Sequence, residues 1–292
     1  MSDLLVLSGK KVSSVVYQWL SDRIQTLKEK NIIPGLAVIL VGENPASKVY
    51  VLSKTRTFKK LDLFTKTYRL SSDISQDELL HLITELNNNP CYHGILVQLP
   101  LPKHIKSDKV INVIDPKKDV DGFHPENAGL LAIGRPRFIP CTPKGIMKIL
   151  EHYEIELNGK HVVVVGRSNI VGRPISILTS MKMDGANATT TLCHSRTPDI
   201  ENHTRSADVV IVALGVTGFL DHSMIKEGAI VIDVGINRID ADNDKGYELV
   251  GDVDWSSIEK KASAATPVPG GVGPMTIAML VENTVEAAEN YS

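Results

Sequence analysis

Cysteine is scarce in this chain. Only Cys91, Cys141 and Cys193 occur in 292 residues. They form no CxxC pair, which argues against a structural zinc site and a disulfide framework and makes a reducing, cytoplasmic location the expectation. An excess of either charge is also missing. With a formal net charge of -2 and a pI near 6.5, nothing argues for nucleic acid or an anionic membrane as partner. Long apolar runs are absent too, the longest being strand-sized, so no ordinary transmembrane helix is expected. The opening MSDLLVLSGKK lacks a basic start followed by a long apolar core, so no secretory signal is expected. Asp119 and Asp121 lie close together without the spacing of a calcium loop, and no metal is expected. What is present, 42% hydrophobic and 23% charged residues, is the composition of a globular protein long enough for one large domain or two ordinary ones.

The run VVVVGRSNIVGRP, Val162 to Pro174, reads as a buried strand, a glycine turn and a helix opening. Gly166 follows the strand and Gly172 opens the helix. The short polar residues between them, Ser168 among them, have backbone N–H groups that can face a pyrophosphate. The spacing is GxSxxxG rather than GxGxxG, so the turn fits either a dinucleotide or tight strand–helix packing alone. A typical NAD site carries an acid at the end of its second strand. Here that end reads Cys193-His194-Ser195-Arg196, with no acid before Asp199. Arg196, Ser195 and Arg167 could instead meet an additional phosphate, which favours NADP over NAD.

Strands alternate with helices along the chain. Val12 to Leu27 has the period of an amphipathic helix, and Leu36 to Val41 that of a short buried strand. Asn44-Pro45 starts a helix running through Val49, Leu52 and Phe58. A strand at Phe64 to Leu70, a helix at Gln76 to Leu86 and a strand at Gly94 to Gln98 follow. Ile114 to Pro143 reads as linker and loop, and Thr142-Pro143 as the cap of a helix from Lys144 to His152. Further strands are expected at His161 to Val165, Thr189 to Leu192, Val209 to Leu214 and Ala229 to Val234, with a final helix over Thr276 to Glu289. The simplest reading is two α/β domains with a crevice between them.

Four features could furnish that crevice. Tyr50 and Lys54 lie four apart on one helix face, although such a pair is more often solvated surface. Gln98 stands at the carboxyl end of a strand, where ligands bind or turns are capped. Asp121 sits in a polar loop where its carboxylate could accept paired N–H donors. His124, in the same loop, reads better as locally hydrogen-bonded than as an acid or base. The segment Pro267 to Thr276 is too restricted in backbone choice for a random linker, and serves either as a rigid hinge or as a wall beside a ligand.

Together, VGENPASKVYVLSKTR, GILVQLPLP, KDVDGFHPENAGLL, GRSNIVGRP and TPVPGGVGPMT resemble the bifunctional methylenetetrahydrofolate dehydrogenase/cyclohydrolase (FolD) family, in family order over nearly the whole chain. The resemblance implies a two-domain α/β fold, an N-terminal α/β domain completed by the C-terminal helix plus a Rossmann-like dinucleotide-binding domain. The expected boundaries are 1–139 with 272–292 for folate and 140–271 for NADP. It implies NADP as cofactor, tetrahydrofolate derivatives as substrates and a homodimer. It places Lys54, Tyr50 and Gln98 in catalysis. Asp121, with Tyr50, Pro267, Gly270 and Gly271, is placed against the folate. Gly166, Arg167, Ser168, Ile170, Gly172, Ser195, Arg196 and Ile236 are placed against the cofactor. A shikimate-type dehydrogenase would share the crevice but does not require the Tyr50–Lys54, Gln98 and Asp121 set, and a non-catalytic NADP sensor would show no turnover.

Overall fold

A computed structural model describes residues 4–243 and 246–290. In chain order the elements are β1 (Leu5–Val6), α1 (Gly9–Glu29), β2 (Gly35–Val41), α2 (Pro45–Lys60), β3 (Phe64–Leu70), α3 (Gln76–Asn88) and β4 (Gly94–Val97). They continue with α4 (Ser107–Val113), α5 (Pro125–Ala132), α6 (Cys141–His152), β5 (His161–Val165), α7 (Gly172–Ser180), β6 (Thr189–Cys193) and α8 (Ile200–Ser206). The remainder are β7 (Val209–Val212), β8 (Ile230–Asp233), β9 (Asn237–Asp240), β10 (Tyr247–Val250), α9 (Trp255–Ile258), β11 (Ala264–Ala265) and α10 (Val272–Asn290). The chain forms two compact units. One takes Val16–Cys141 and the chain from Ile277 onward; the other takes the chain up to Val15 and Thr142–Thr276.

In the first unit β2 lies between β3 and β4, all parallel. Every residue of GLAVILV in β2 is buried, as a central strand covered on both faces requires. Ala37, Ile39 and Val41 pack with Leu79, Ile83 and Leu86 of α3 in one core cluster. A capping box starts α3, with Ser75 accepting from the Glu78 N–H and the Glu78 carboxylate accepting from the Ser75 N–H. Asn44 caps α2 through its Oδ1, 3.0 Å from the Ser47 nitrogen, and Pro45 occupies the first helical position. The buried face of α2 is Ser47, Val51, Lys54 and Phe58. Val49 and Leu52, which also belong to the apolar pattern, are exposed.

In the second unit a six-stranded sheet has the order β1-β11-β8-β7-β5-β6, with every pairing parallel. The chain leaves β5 for β6 on one side and returns to β7 on the other, so the topological switch point lies at the carboxyl end of β5. An antiparallel hairpin of β9 and β10 stands apart from that sheet.

Two expectations need correction. The stretch Ile114 to Pro143, read as loop, contains α5. His124 starts this helix by accepting the Glu126 N–H on Nδ1, and Pro125 takes the first helical position. Thr142-Pro143 does not precede α6 as a cap but lies inside it, because the helix begins at Cys141.

Candidate active site

Lys54 is the buried charged residue of α2, only 8% exposed. Its Nζ donates to Gln98 Oε1 at 3.1 Å, and Gln98 Nε2 donates to the Leu99 carbonyl at 2.8 Å. The second bond fixes which end of the amide faces the lysine. Gln98 is held in turn by its own N–H, which donates to the Ile39 carbonyl at 2.9 Å. The amide therefore stands just past the carboxyl end of β4, at the edge where open parallel sheets present ligands. Tyr50 shares α2 but is 37% exposed, and partial burial raises its phenol pKa. The structure thus joins Lys54 to Gln98, across the end of the sheet, and not only to its own helix face.

Asp121 follows in the loop after Asp119 and Val120. Burial raises its carboxyl pKa, while the Lys54 ammonium and the Cys141 thiol partly offset that effect. Cys141 Sγ lies 3.5 Å from both Asp121 Oδ1 and the Val120 carbonyl. From α10, Asn283 Nδ2 donates to the carbonyls of Val120 at 2.8 Å and Ile139 at 3.0 Å. Asp119 points elsewhere. Its Oδ2 accepts from the His124 N–H at 2.7 Å and from Asn127 Nδ2 at 2.8 Å, so it holds the loop together.

Sequence reading missed Cys141 and Asn283 as supports of Asp121. One signal was available for Asn283, a polar residue among Met279, Leu280, Val281 and Val285 on an apolar helix. None linked Cys141 to a carboxylate twenty positions earlier.

The other unit carries the glycine turn. Gly166 has φ 123°, and a Cβ there would come 2.2 Å from the Ala213 carbonyl oxygen. A Cβ on Gly172 would meet the Gly166 carbonyl oxygen at 1.9 Å. Both positions therefore require glycine. Ser168 Oγ accepts from the N–H groups of Val171 at 3.2 Å and Gly172 at 3.3 Å, folding the turn onto the start of α7. Arg167 and Ile170 are exposed on this turn, and Ser195 and Arg196 are exposed beyond β6. His194 shapes that second loop, its Nδ1 accepting the Arg196 N–H at 3.1 Å.

Ile236, Pro267, Gly270 and Gly271 line one cavity of about 150 Å³ in this unit, together with Asp233 and Gly235. Gly271 donates its N–H to the Pro267 carbonyl at 2.7 Å, and a Cβ on Gly271 would come within 2.5 Å of that oxygen. The restricted segment thus lines a cavity and leads into α10.

Residues 7–121 match the family model described as tetrahydrofolate dehydrogenase/cyclohydrolase, catalytic domain. Residues 140–292 match the model described as tetrahydrofolate dehydrogenase/cyclohydrolase, NAD(P)-binding domain. The bifunctional protein FolD of Chloroherpeton thalassium is 52% identical over 292 residues, covering 99% of each chain. Among solved structures, the FolD methylenetetrahydrofolate dehydrogenase/cyclohydrolase of Campylobacter jejuni is 50% identical with a TM-score of 0.93, covering 98% of this chain and 99% of its own. The Trypanosoma brucei methylenetetrahydrofolate dehydrogenase-cyclohydrolase, solved with NADP cofactor and inhibitor, is 36% identical with a TM-score of 0.94 and 99% of both chains covered. Two domain matches in series and half-identity over the full length show that this chain belongs to the tetrahydrofolate dehydrogenase/cyclohydrolase family.

Proposed function

We infer that this chain oxidises 5,10-methylenetetrahydrofolate with NADP⁺ and hydrolyses the resulting 5,10-methenyl cation to 10-formyltetrahydrofolate. The observation that carries this reading is the buried Lys54 ammonium held 3.1 Å from the Gln98 carbonyl oxygen, its charge acting on the Asp121 carboxyl, in a chain of this family. The glycine turn has the close strand–turn–helix approach that a dinucleotide site uses, since Cβ atoms on Gly166 and Gly172 would strike the Ala213 and Gly166 carbonyl oxygens. NADP⁺, when bound, supplies the hydride acceptor.

The chain's own residues bind, orient and move protons. The turn between Gly166 and Gly172, ahead of α7, receives the pyrophosphate on the backbone N–H groups of Arg167 to Ile170, with the Ser168 and Ile170 side chains beside it. Arg167, Ser195 and Arg196 receive the 2′-phosphate. Ile236, Pro267, Gly270 and Gly271 wall the nicotinamide and substrate region. Asp121 accepts the amino-pyrimidine N–H edge of the folate, and Tyr50 lies along the substrate. Water then adds to the methenyl carbon. Lys54 assists that addition and the proton movement at the folate nitrogens as the ring opens, with a net release of one proton. Gln98 holds the lysine in place. In this reading residues 1–139 with 272–292 serve the folate and 140–271 the cofactor, and the chain works as a cytoplasmic homodimer. Among the described residues no helix is long and apolar enough to cross a membrane.

Lys54→Met tests the assignment. Hydrolysis of methenyltetrahydrofolate should fall by about 100-fold or more, the contribution usual for a positioned acid or base, while NADP⁺ binding persists. Hydride transfer needs no enzyme acid or base, so dehydrogenase activity should fall less. Unchanged hydrolysis, followed by methenyl absorbance, would reject Lys54.

A further inference from the structure

Two buried aspartates tie together the loops at the carboxyl end of the six-stranded sheet, and the mechanism above uses neither. Asp233 ends β8. Its Oδ1 accepts from the N–H groups of Gly235 at 2.9 Å and Asp252 at 3.0 Å, and its Oδ2 from that of Val253 at 3.0 Å. Asp252 is fully buried. Its Oδ2 accepts from the N–H groups of Leu214 at 2.7 Å and Gly215 at 2.9 Å, and its Oδ1 from Asn237 Nδ2 at 2.9 Å.

The sequence makes room for both acids. A Cβ on Gly235 would lie 2.3 Å from Asp252 Oδ1, and one on Gly251 would lie 1.7 Å from Asp233 Oδ2. Each carboxylate uses both oxygens as acceptors, which no neutral side chain of the same shape does. The arrangement is costly, for burial pushes the Asp233 carboxyl up to about 6 against its three backbone donors, and the Asp252 charge adds to the rise. A packing role alone needs neither acid.

The cost is explained by where the clamped loops lie. Gly235 and Ile236 line the cavity faced by Pro267, Gly270 and Gly271, and Asn237 is the next residue. Leu214 and Gly215 follow β7, the strand beside the switch point. We propose that Asp252, backed by Asp233, is a positioning residue for the nicotinamide half of the cofactor, fixing the 214–215 and 235–237 loops at the spacing hydride transfer requires. The assignment rests on the dehydrogenase reading above and names residues that act through backbone, without touching the reacting atoms.

Both activities are measured in each protein, the hydrolysis of methenyltetrahydrofolate being assayed without cofactor. Asp252→Ala leaves the Leu214 and Gly215 N–H groups without their acceptor and releases Asn237. The dehydrogenase kcat should fall by about 30-fold or more, because small displacements from reacting geometry cost rate steeply, while hydrolysis stays within about two-fold. The deuterium isotope effect on kcat, with the methylene bridge labelled, should rise as hydride transfer becomes limiting. Asp252→Asn should recover most of the rate, since its Oδ1 can still accept from Leu214 and Gly215 once Asn237 turns its amide. If Asp252→Ala does not fold, Asn237→Ala removes one arm of the clamp and should lower dehydrogenase kcat by about five-fold with hydrolysis intact. Parallel loss of both activities in a folded variant, an unchanged isotope effect, or an unaffected dehydrogenase would overturn the proposal. Failure of the wild type to oxidise methylenetetrahydrofolate with NADP⁺ would instead overturn the activity on which it rests.

Discussion

Asp119 lies two positions before Asp121 and is the more deeply buried of the two, at 2% exposure. Burial pushes its carboxyl up to about 7 in spite of the donors from Asn127 and His124, and the neighbouring Asp121 charge adds to the rise. An unfolded aspartate titrates near 3.9. Between those values the folded chain binds a proton that the unfolded chain has released, so this group's contribution to stability is fullest below about pH 4 and is lost as pH rises through about 7. Asp119→Asn does not titrate. The difference in Tm, wild type minus variant, should therefore fall between pH 5 and pH 8. The same raised direction at Asp233 is common to both proteins and cancels in that difference. A gap that is constant or widens with pH would show that the donors, not burial, control Asp119. At this scale residue type and position marked Gln98 and Asp121 as candidates, whereas Lys54 read more often as solvated surface and was placed in catalysis by the family resemblance. The sequence could not show Asp119 as a strut, because the difference between two nearby acids lies in what the folded loop turns toward each.

At the scale of elements, the turn from β5 into α7 concentrates the steric demands of the cofactor unit. With an added Cβ only 1.9 Å from the Gly166 carbonyl oxygen and 2.9 Å from Arg167 Cα, Gly172→Ala must spread the turn. The clash is with backbone, which cannot rotate away. Overpacking of this kind costs about 1–3 kcal/mol. The variant should lose stability by that order, raise the KM for NADP⁺ by about ten-fold and keep its cofactor-free hydrolysis of methenyltetrahydrofolate. A KM that stays put while stability falls would reduce Gly172 to a packing residue.

Strongly patterned elements were legible. The expected strands at 64–70 and 161–165 coincide with β3 and β5, and the Asn44 cap with the start of α2. The short element α5 was not, because its eight residues follow a Pro-, Gly- and Asp-rich run whose turn chemistry masks one helical turn after another. The exposed strand β9, with only Asn237 half-buried, offers no apolar alternation to read.

For the whole molecule, alternating strands and helices revealed two α/β bodies, but the local pattern could not reveal where the first residues belong. Leu5 and Val6 pair in parallel with Ala264 and Ala265, more than 250 positions away, and only that pairing joins them to the six-stranded sheet. Charge is likewise not a property of local pattern alone. The net charge of -2 gives the chain no overall attraction for an anionic cofactor. In the proposed reading, selection of NADP⁺ comes from Arg167, Ser195 and Arg196, exposed at the turn after β5 and the loop after β6. Such exposed contacts are screened by salt, the screening length shrinking from about 10 Å at 0.1 M to about 3 Å at 1 M. The KM for NADP⁺ should therefore rise several-fold between 50 mM and 0.5 M KCl, whereas that for NAD⁺, which lacks the 2′-phosphate, should change by less than about two-fold. Replacing both arginines by alanine should flatten the NADP⁺ response and bring the two cofactors' KM values together. Equal salt slopes for the two cofactors in the wild type would place the discrimination in buried groups instead of these arginines.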